Sequence, residues 1–120
     1  LLNRLKLFNS DIDNFNLGKY DLIISNPPYI KNLDFNKMED EIVKYEPKIA
    51  FDGGLDGLSE IRKVISKSSE LIKIRGKLIL EIAHDQKYEV KKILKNNNFY
   101  VNKVVKDLAN KYRCIISTKI

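Results

Sequence analysis

Asn26, Pro27, Pro28 and Tyr29 are the residues whose types and order most clearly suggest chemistry. A primary amide nitrogen is a poor nucleophile, because its lone pair is delocalised into the carbonyl group. Methylating such a nitrogen requires that its two N–H groups be held so that the nitrogen faces an electrophilic methyl group in line. The side-chain oxygen of Asn26 and the backbone carbonyl of Pro27 can accept those two hydrogens, and the ring of Tyr29 can stack on a planar group. These residues therefore predict a site for a planar nitrogen acceptor, at which positioning and electrostatics supply most of the rate.

The segment before these residues, from Tyr20 to Asn26, is predicted to be a β-strand. Leu22, Ile23 and Ile24 form an apolar run typical of a strand that is buried on both faces. The strand must then stop, because neither proline can donate a ladder hydrogen bond. In open α/β sheets, ligands bind at the carboxyl ends of the strands, and the strand end at Asn26 is accordingly the expected ligand site.

The rest of the pattern predicts an α/β fold. The predicted elements are a strand at residues 5–8, a short helix at 36–44, an amphipathic helix at 58–72 capped by Asp56 and stopped at Gly76, a strand at 77–82, a helix at 86–96 with Asp85 as N-cap, and strands at 99–106 and 112–119. Alternating strands and helices favour a mainly parallel, doubly wound sheet. The short last connection predicts a terminal antiparallel hairpin.

Length and composition exclude several classes of protein. The 120 residues allow at most one domain, and 43% hydrophobic with 32% charged residues is ordinary for a globular protein. No apolar run approaches the roughly 20 residues that span a bilayer, and a lone Cys114 suits a reducing compartment, so we expect a cytoplasmic protein with no membrane association. His84 and Cys114 are too few for a metal site. The net charge of +6 favours either an anionic partner such as nucleic acid or simply a solvated basic surface, since the 22 basic residues are scattered among 16 acidic ones.

The strand end at residues 26–29 resembles the Asn-Pro-Pro-Tyr signature of amino-methyltransferases that use S-adenosylmethionine on DNA adenine, RNA bases or protein glutamine. Residues 45–58 look like the E-P-x-x-A-L-x-G-G-x-D-G-L stretch of HemK-type release factor glutamine methyltransferases. Residues 81–86 are similar to that family's E-I-G-x-x-Q, and residues 107–113 to its D-L-x-G-x-x-R pattern. The resemblance covers nearly all 120 residues. It departs from the family at Ala83 and Asn110, where members usually have glycine.

The resemblance implies a Rossmann-like class I methyltransferase fold, of which residues 1–120 would be the C-terminal part of the catalytic domain, an incomplete single domain with the first strands missing. The implied reaction transfers a methyl group from S-adenosylmethionine to the glutamine side-chain nitrogen in the Gly-Gly-Gln motif of class 1 peptide-chain release factors. Asn26, Pro27, Pro28 and Tyr29 would hold the glutamine, and Asn26 would also border the sulfonium. Asp11 would accept a hydrogen bond from the adenine amine and Ile12 would pack near the adenine ring. For Asp11, a plain turn aspartate is the alternative.

Three expectations depend on what the chain lacks. The glycine-rich loop and the ribose-binding acid of this fold belong upstream of Leu1, so we expect the chain alone to bind S-adenosylmethionine poorly and to be inactive. An adenine-N6 methyltransferase of DNA or RNA is an alternative, but it needs clustered basic and aromatic residues, and their absence argues against direct nucleic-acid binding. A noncatalytic binding module is a second alternative, which the missing loop favours and the intact strand end opposes.

Three further predictions concern assembly and two other segments of the chain. We expect a monomer. Glu81 is predicted either to orient the Asn26 loop or to face solvent, and residues 52–54 to form a substrate-side loop.

Overall fold

The computed structural model describes residues 2–28 and 57–120. In this part of the chain the elements are β1 (Tyr20–Ser25), α1 (Ser59–Leu71), β2 (Ile72–Glu81), α2 (Lys87–Asn96), β3 (Phe99–Lys106) and β4 (Tyr112–Lys119), with 3-10 turns at Leu2–Arg4 and Ile12–Asn14. Tyr29, the predicted helix at 36–44, the loop at 52–54 and the capping role of Asp56 lie outside the described residues.

The four strands form one sheet in the order β1-β2-β4-β3. β1 pairs with β2 in parallel, and β4 runs antiparallel to both of its neighbours, β2 and β3. The predicted α/β alternation and the terminal antiparallel hairpin are confirmed. Because β4 begins where β2 ends, residues 26–28, 82–86 and 106–113 meet at one side of the sheet, which we call the carboxyl edge.

In the described part of the chain, an apolar core holds the helices against the sheet. It is formed by Leu58, Ile61, Val64, Ile65, Ile72, Leu78, Leu80, Ile82, Val90, Leu94, Phe99 and Ile115. The residues of α1 in this set recur at steps of three and four, as the amphipathic pattern predicts. Full burial of each such side chain stabilises the fold by about 1.5–3 kcal/mol. The core therefore stabilises the sheet that positions the carboxyl edge.

The junction between α1 and β2 differs from the prediction. The helix ends at Leu71 and the strand begins at Ile72, so Gly76 lies inside β2 and does not stop the helix. Between the pairs Tyr20↔Ile72 and Leu22↔Lys77, β1 advances by two residues while β2 advances by five, which makes a bulge. A Cβ on Gly76 would lie 2.6 Å from Cγ1 of Ile72 and 2.8 Å from the carbonyl oxygen of Lys73. The glycine is therefore required by close packing in the bulge.

Two predictions about strands are wrong. Residues 5–8 form no strand and are exposed, since no described strand lies beside them to complete a ladder. Burial of β1 on both faces is also not observed, because Leu22 is 50% and Ile24 69% exposed. Within the described residues, β1 is paired along one side only, with β2.

Candidate active site

The end of β1 places three of the predicted site residues together at the carboxyl edge. Ser25 is the last residue of β1 paired to β2, through Leu80, so Asn26 is the first residue beyond the ladder. Asn26 is exposed, whereas Pro27 is buried and Pro28 is half-buried. The buried proline anchors the chain, because its ring fixes the backbone angle φ, and the asparagine amide beside it stays accessible. This arrangement suits an exposed hydrogen-bonding group that must hold a fixed position.

The predicted adenine-binding residues lie in a separate turn. Asp11 is exposed and precedes the 3-10 turn, and its carboxylate makes no hydrogen bond with a described residue. Ile12 is half-buried and lines an apolar cavity of about 750 Å³, together with Phe8, Phe15 and Tyr20. Neither Asp11 nor Asn26 lines this cavity, so the described residues do not bring the two predicted sites into one pocket.

The side chains of Asp11 and Ile12 are of the types that can bind the adenine end of a nucleoside cofactor. The Asp11 carboxylate, which bonds to none of the described residues, can accept a hydrogen bond from an adenine amine. A half-buried aliphatic side chain next to it can pack on the ring. The chemistry of Asp11 and Ile12 is therefore compatible with the adenine of S-adenosylmethionine.

Gln86 connects two segments at the carboxyl edge and is almost fully buried, with 3% of its surface exposed. Its Oε1 accepts a hydrogen bond of 3.1 Å from the backbone nitrogen of Ala83, and its Nε2 donates one of 3.0 Å to the carbonyl oxygen of Gly57. The turn after β2 is thereby tied to the chain that leads into α1. The sequence resemblance includes Gln86 but gives it no role. The signal available in the sequence was an amide side chain placed between the apolar residues Ala83 and Val90.

The two residues that precede Gln86, His84 and Asp85, are exposed. The N-cap of α2 is Gln86, so the prediction that Asp85 caps this helix is wrong. The backbone nitrogen of Gln86 donates to the carbonyl oxygen of Ala83 at 3.0 Å, and this turn delays the start of the helix by one residue.

Glu81, at the end of β2, faces solvent, which was one of the two predicted alternatives. It lies opposite Cys114 of β4. Burial, and then the negative charge of Glu81, raise the pKa of the half-buried Cys114 thiol. The thiol is therefore kept protonated, as expected of a packing residue.

Asp107 organises the loop between β3 and β4. Its Oδ1 accepts hydrogen bonds from the backbone nitrogens of Ala109 (2.8 Å) and Lys111 (3.0 Å), and its Oδ2 accepts one from Nε of Arg113 (2.8 Å). These bonds, that of Arg113 first, lower the pKa of Asp107. Asn110 stands where the family usually has glycine and has φ 65°, a left-handed conformation that asparagine tolerates. The departure at Asn110 therefore preserves the turn.

A group of basic and aromatic side chains at the same edge was not predicted. The Nζ atoms of Lys87 and Lys106 lie 4.1 and 4.9 Å from the ring centroid of Tyr112. We call these three residues the Lys–Tyr cluster. A hydrogen bond with Lys87, followed by the charges of Lys106 and Lys87, lowers the pKa of Tyr112. The three residues of the Lys–Tyr cluster come from α2, β3 and β4, and no local pattern in the sequence brings them together.

Two classes of site or structure were not found in the described part of the chain. No group of three His, Cys, Asp or Glu side chains there could hold a metal ion. Among the helices of residues 2–28 and 57–120, none combines the length and apolar character that crossing a bilayer would require.

Comparison with known proteins gives relatives that match nearly the whole chain. No protein-family model matches it. A release factor glutamine methyltransferase from Clostridium acetobutylicum is 35% identical over 122 residues, covering 99% of this chain and 43% of that protein. A protein of the same name from Fusobacterium nucleatum is 40% identical over 101 residues, 84% of this chain and 28% of that protein. A bifunctional methyltransferase from Rickettsia conorii is 33% identical over 119 residues, 98% of this chain and 23% of that protein.

Solved structures show the same fold at low sequence identity. A methyltransferase from Pyrococcus furiosus superposes with a TM-score of 0.56 and 17% identity, covering 88% of this chain and 44% of that chain. An O-methyltransferase family protein from Burkholderia thailandensis has a TM-score of 0.58 and 14% identity, over 98% of this chain and 36% of that chain. The class I methyltransferase fold is therefore confirmed, and so is the resemblance to release factor glutamine methyltransferases. The chain spans less than half the length of the curated relatives described above.

Proposed function

We propose that this chain, a relative of the release factor glutamine methyltransferases, is the substrate-holding part of an enzyme that methylates the Gly-Gly-Gln glutamine of class 1 peptide-chain release factors. The single observation that carries the proposal is that Asn26 is exposed just beyond the carboxyl end of β1, while Pro27, the next residue, is buried. The names of the relatives support the choice of substrate. Tyr29 is proposed to contact the planar amide from the position after Pro28.

In the proposed mechanism, the residues of this chain hold and orient the glutamine amide. The Asn26 side-chain oxygen accepts one N–H of the amide and the Pro27 carbonyl accepts the other, which fixes the direction in which the nitrogen can attack. S-adenosylmethionine, when bound, supplies an electrophilic methyl group on its sulfonium. The nitrogen held in this way would take up that methyl group in line, with the neutral thioether as the leaving group, and would lose one proton to solvent. No acid/base dyad is required if positioning and fixed dipoles supply most of the rate.

We further propose that Asp11 and Ile12 hold the adenine of the cofactor and that the chain is the C-terminal part of a larger catalytic domain. The relatives are more than twice as long as this chain. Two observations support an incomplete domain. Leu22 and Ile24 of β1 are exposed. Ser68 borders the apolar cavity, and its buried hydroxyl has no partner among the described residues. We place the full-length protein in the cytoplasm, acting as a monomer.

Methyl transfer by the full-length protein tests this substrate assignment. With radiolabelled S-adenosylmethionine, we expect label on a class 1 release factor and none on the Gly-Gly-Ala form of its motif. Duplex DNA and RNA serve as competing acceptors in the same assay. Labelling of DNA or RNA with no labelling of the release factor would replace the proposed substrate with a nucleic-acid base.

A further inference from the structure

The Lys–Tyr cluster lies on the same edge of the sheet as Asn26. Ser25 pairs with Leu80, Leu80 pairs with Ile115, and Tyr112 lies three residues before Ile115, beyond the end of β2. Two strand spacings across the sheet and a few residues along it separate Tyr112 from Asn26, a distance of about 12–15 Å. A protein that brings a glutamine to Asn26 would therefore extend over the cluster.

The cluster holds two positive charges that no described acid neutralises. The Nζ atoms of Lys87 and Lys106 both lie over the ring of Tyr112. Neither lysine makes a salt bridge with a described residue. The nearby carboxylate of Asp107 is instead held by Arg113 at 2.8 Å. Two like charges near one ring repel each other, and an anion placed between them removes that repulsion. The lowered pKa of the Tyr112 phenol reports the same positive potential.

A second aromatic side chain, that of Tyr88, lies beside Lys87 of the cluster. Tyr88 is 70% exposed, and its ring centroid lies 5.2 Å from Nζ of Lys87. Tyrosine is enriched among the residues that contribute most to binding in protein interfaces, and lysine side chains act there through charge complementarity with the partner. The surface is therefore suited to a protein partner that carries acidic side chains.

A nucleic acid fits this surface less well. A phosphate backbone is bound along a continuous positive groove. Here the exposed carboxylates of Glu81, at the end of β2, and Glu89, in the first turn of α2, lie at the same edge, and they would repel a continuous chain of phosphates. A few discrete carboxylates on a folded protein can instead meet Lys87 and Lys106 alone.

We propose that the Lys–Tyr cluster is a docking site for an acidic segment of the protein substrate, beside but separate from the site that holds the glutamine. This inference rests on the proposed function. It assigns to Lys87, Lys106 and Tyr112 the recognition of the substrate outside its Gly-Gly-Gln motif. Docking by opposite charges acts on substrate binding and on its salt dependence, with no part in the chemical step.

Steady-state kinetics of the full-length protein test the proposal. The variant Lys87→Glu/Lys106→Glu is compared with Lys92→Glu/Lys103→Glu, which changes the net charge equally and alters exposed lysines of the same helix and strand. We expect KM for the release factor to rise about tenfold in the cluster variant, with kcat within about twofold of the original and the salt dependence of KM reduced. The matched control is expected to change KM by less than about twofold.

Circular dichroism and thermal unfolding check that the variants fold. If the charge reversal prevents folding, Lys87→Ala/Lys106→Ala replaces it, with an expected rise in KM of about threefold. Equal KM values in cluster and control variants would overturn the proposal, and so would a loss confined to kcat. Fluorescence anisotropy with a single-stranded RNA probe covers the rival partner: loss of RNA binding with an unchanged KM would assign the surface to nucleic acid. Failure of the unmodified protein to methylate a release factor would instead reject the proposed function, before any variant is compared.

Discussion

At the scale of single residues, the proposed chemistry depends on one asparagine amide. Asn26 is exposed and lies just beyond the last ladder pair of β1, so substitution there removes a hydrogen-bond acceptor without disturbing the core. We expect Asn26→Ala in the full-length protein to lower kcat/KM for a release factor by about 100-fold or more, as for loss of one fixed transition-state contact. Methyl-transfer kinetics measure this loss.

Asn26→Asp is the matched variant, because it keeps an acceptor oxygen of the same reach. It should lose less activity than Asn26→Ala. Equal activity of Asn26→Ala and the unmodified protein would show that the amide does not hold the acceptor. The thermal unfolding temperature of both variants should stay near that of the unmodified protein, since exposed substitutions change stability by about 0.5 kcal/mol or less.

A second residue-scale prediction concerns the pH dependence of stability. The pKa of Asp107 is lowered from its ordinary value of 3.8, chiefly by the hydrogen bond with Arg113. A carboxyl group whose pKa is lower in the folded than in the unfolded protein stabilises the fold above pH 3.8, and this contribution is lost as the pH falls through the lowered folded value. We expect Asp107→Asn to unfold at a lower temperature than the unmodified protein near neutral pH, and this difference to shrink below pH 3.8.

The asparagine variant keeps an acceptor for the backbone nitrogens of Ala109 and Lys111, so the comparison isolates the charged pair with Arg113. Thermal unfolding followed by circular dichroism across this pH range measures the difference. A difference that is independent of pH would contradict the assignment of the stabilisation to the Asp107 charge.

At the scale of elements, the carboxyl edge depends on the hydrogen bonds of Gln86. Gln86→Leu would leave the buried backbone nitrogen of Ala83 and the carbonyl of Gly57 without their partners. Each unpaired buried group costs about 1–3 kcal/mol, so for the two groups we expect the free energy of unfolding to fall by about 2–6 kcal/mol. Chemical denaturation measures this change.

Glu89→Gln serves as the control for this prediction, because Glu89 is exposed in the first turn of the same helix. It should change the free energy of unfolding by about 0.5 kcal/mol or less. If Gln86→Leu were as stable as this control, the two hydrogen bonds would not hold the edge together.

The elements also show which structure follows from local sequence and which does not. The hairpin of β3 and β4 and the apolar stripe of α1 were predictable, because turn residues and periodicity act between near neighbours. The early start of β2 at Ile72 was not, since it depends on pairing with the distant Tyr20. For the same reason the strand predicted at residues 5–8 is absent: a short apolar run forms a strand only beside a partner.

The candidate site divides in the same way. Asn26, Pro27 and Pro28 are adjacent in the chain, so their place at a strand end could be predicted from their order. The role of Gln86 depends on Gly57, 29 residues away, and the Lys–Tyr cluster joins three elements. Such contacts exist only after the sheet has formed.

At the scale of the whole molecule, the described residues on and before β1 expose several large apolar side chains. The exposed large apolar side chains on and before β1 are Leu5, Leu7, Phe8, Leu17, Leu22 and Ile24. Apolar patches of this kind mark surfaces that another segment or partner covers. Together with the greater length of the relatives, they fit the proposal that further chain completes the domain.

Cofactor binding should reflect this division. Asp11 and Ile12 contact only the adenine in the proposed site, so the 120 residues alone offer too few interactions for tight binding. We expect isothermal titration calorimetry to show no micromolar binding of S-adenosylmethionine to the isolated chain and clear binding to the full-length protein. Micromolar binding by the isolated chain would place the cofactor site within these residues.

The central claim is that the strand end at Asn26 holds a release-factor glutamine for methylation, and tandem mass spectrometry tests it most directly. A class 1 release factor is incubated with S-adenosylmethionine and the full-length protein, either unmodified or carrying Asn26→Ala, and is then digested. The account predicts one added methyl group on the side-chain nitrogen of the Gly-Gly-Gln glutamine with the unmodified protein, and little or none with the variant. A methyl group at another residue, or equal methylation of the glutamine by both proteins, would contradict it.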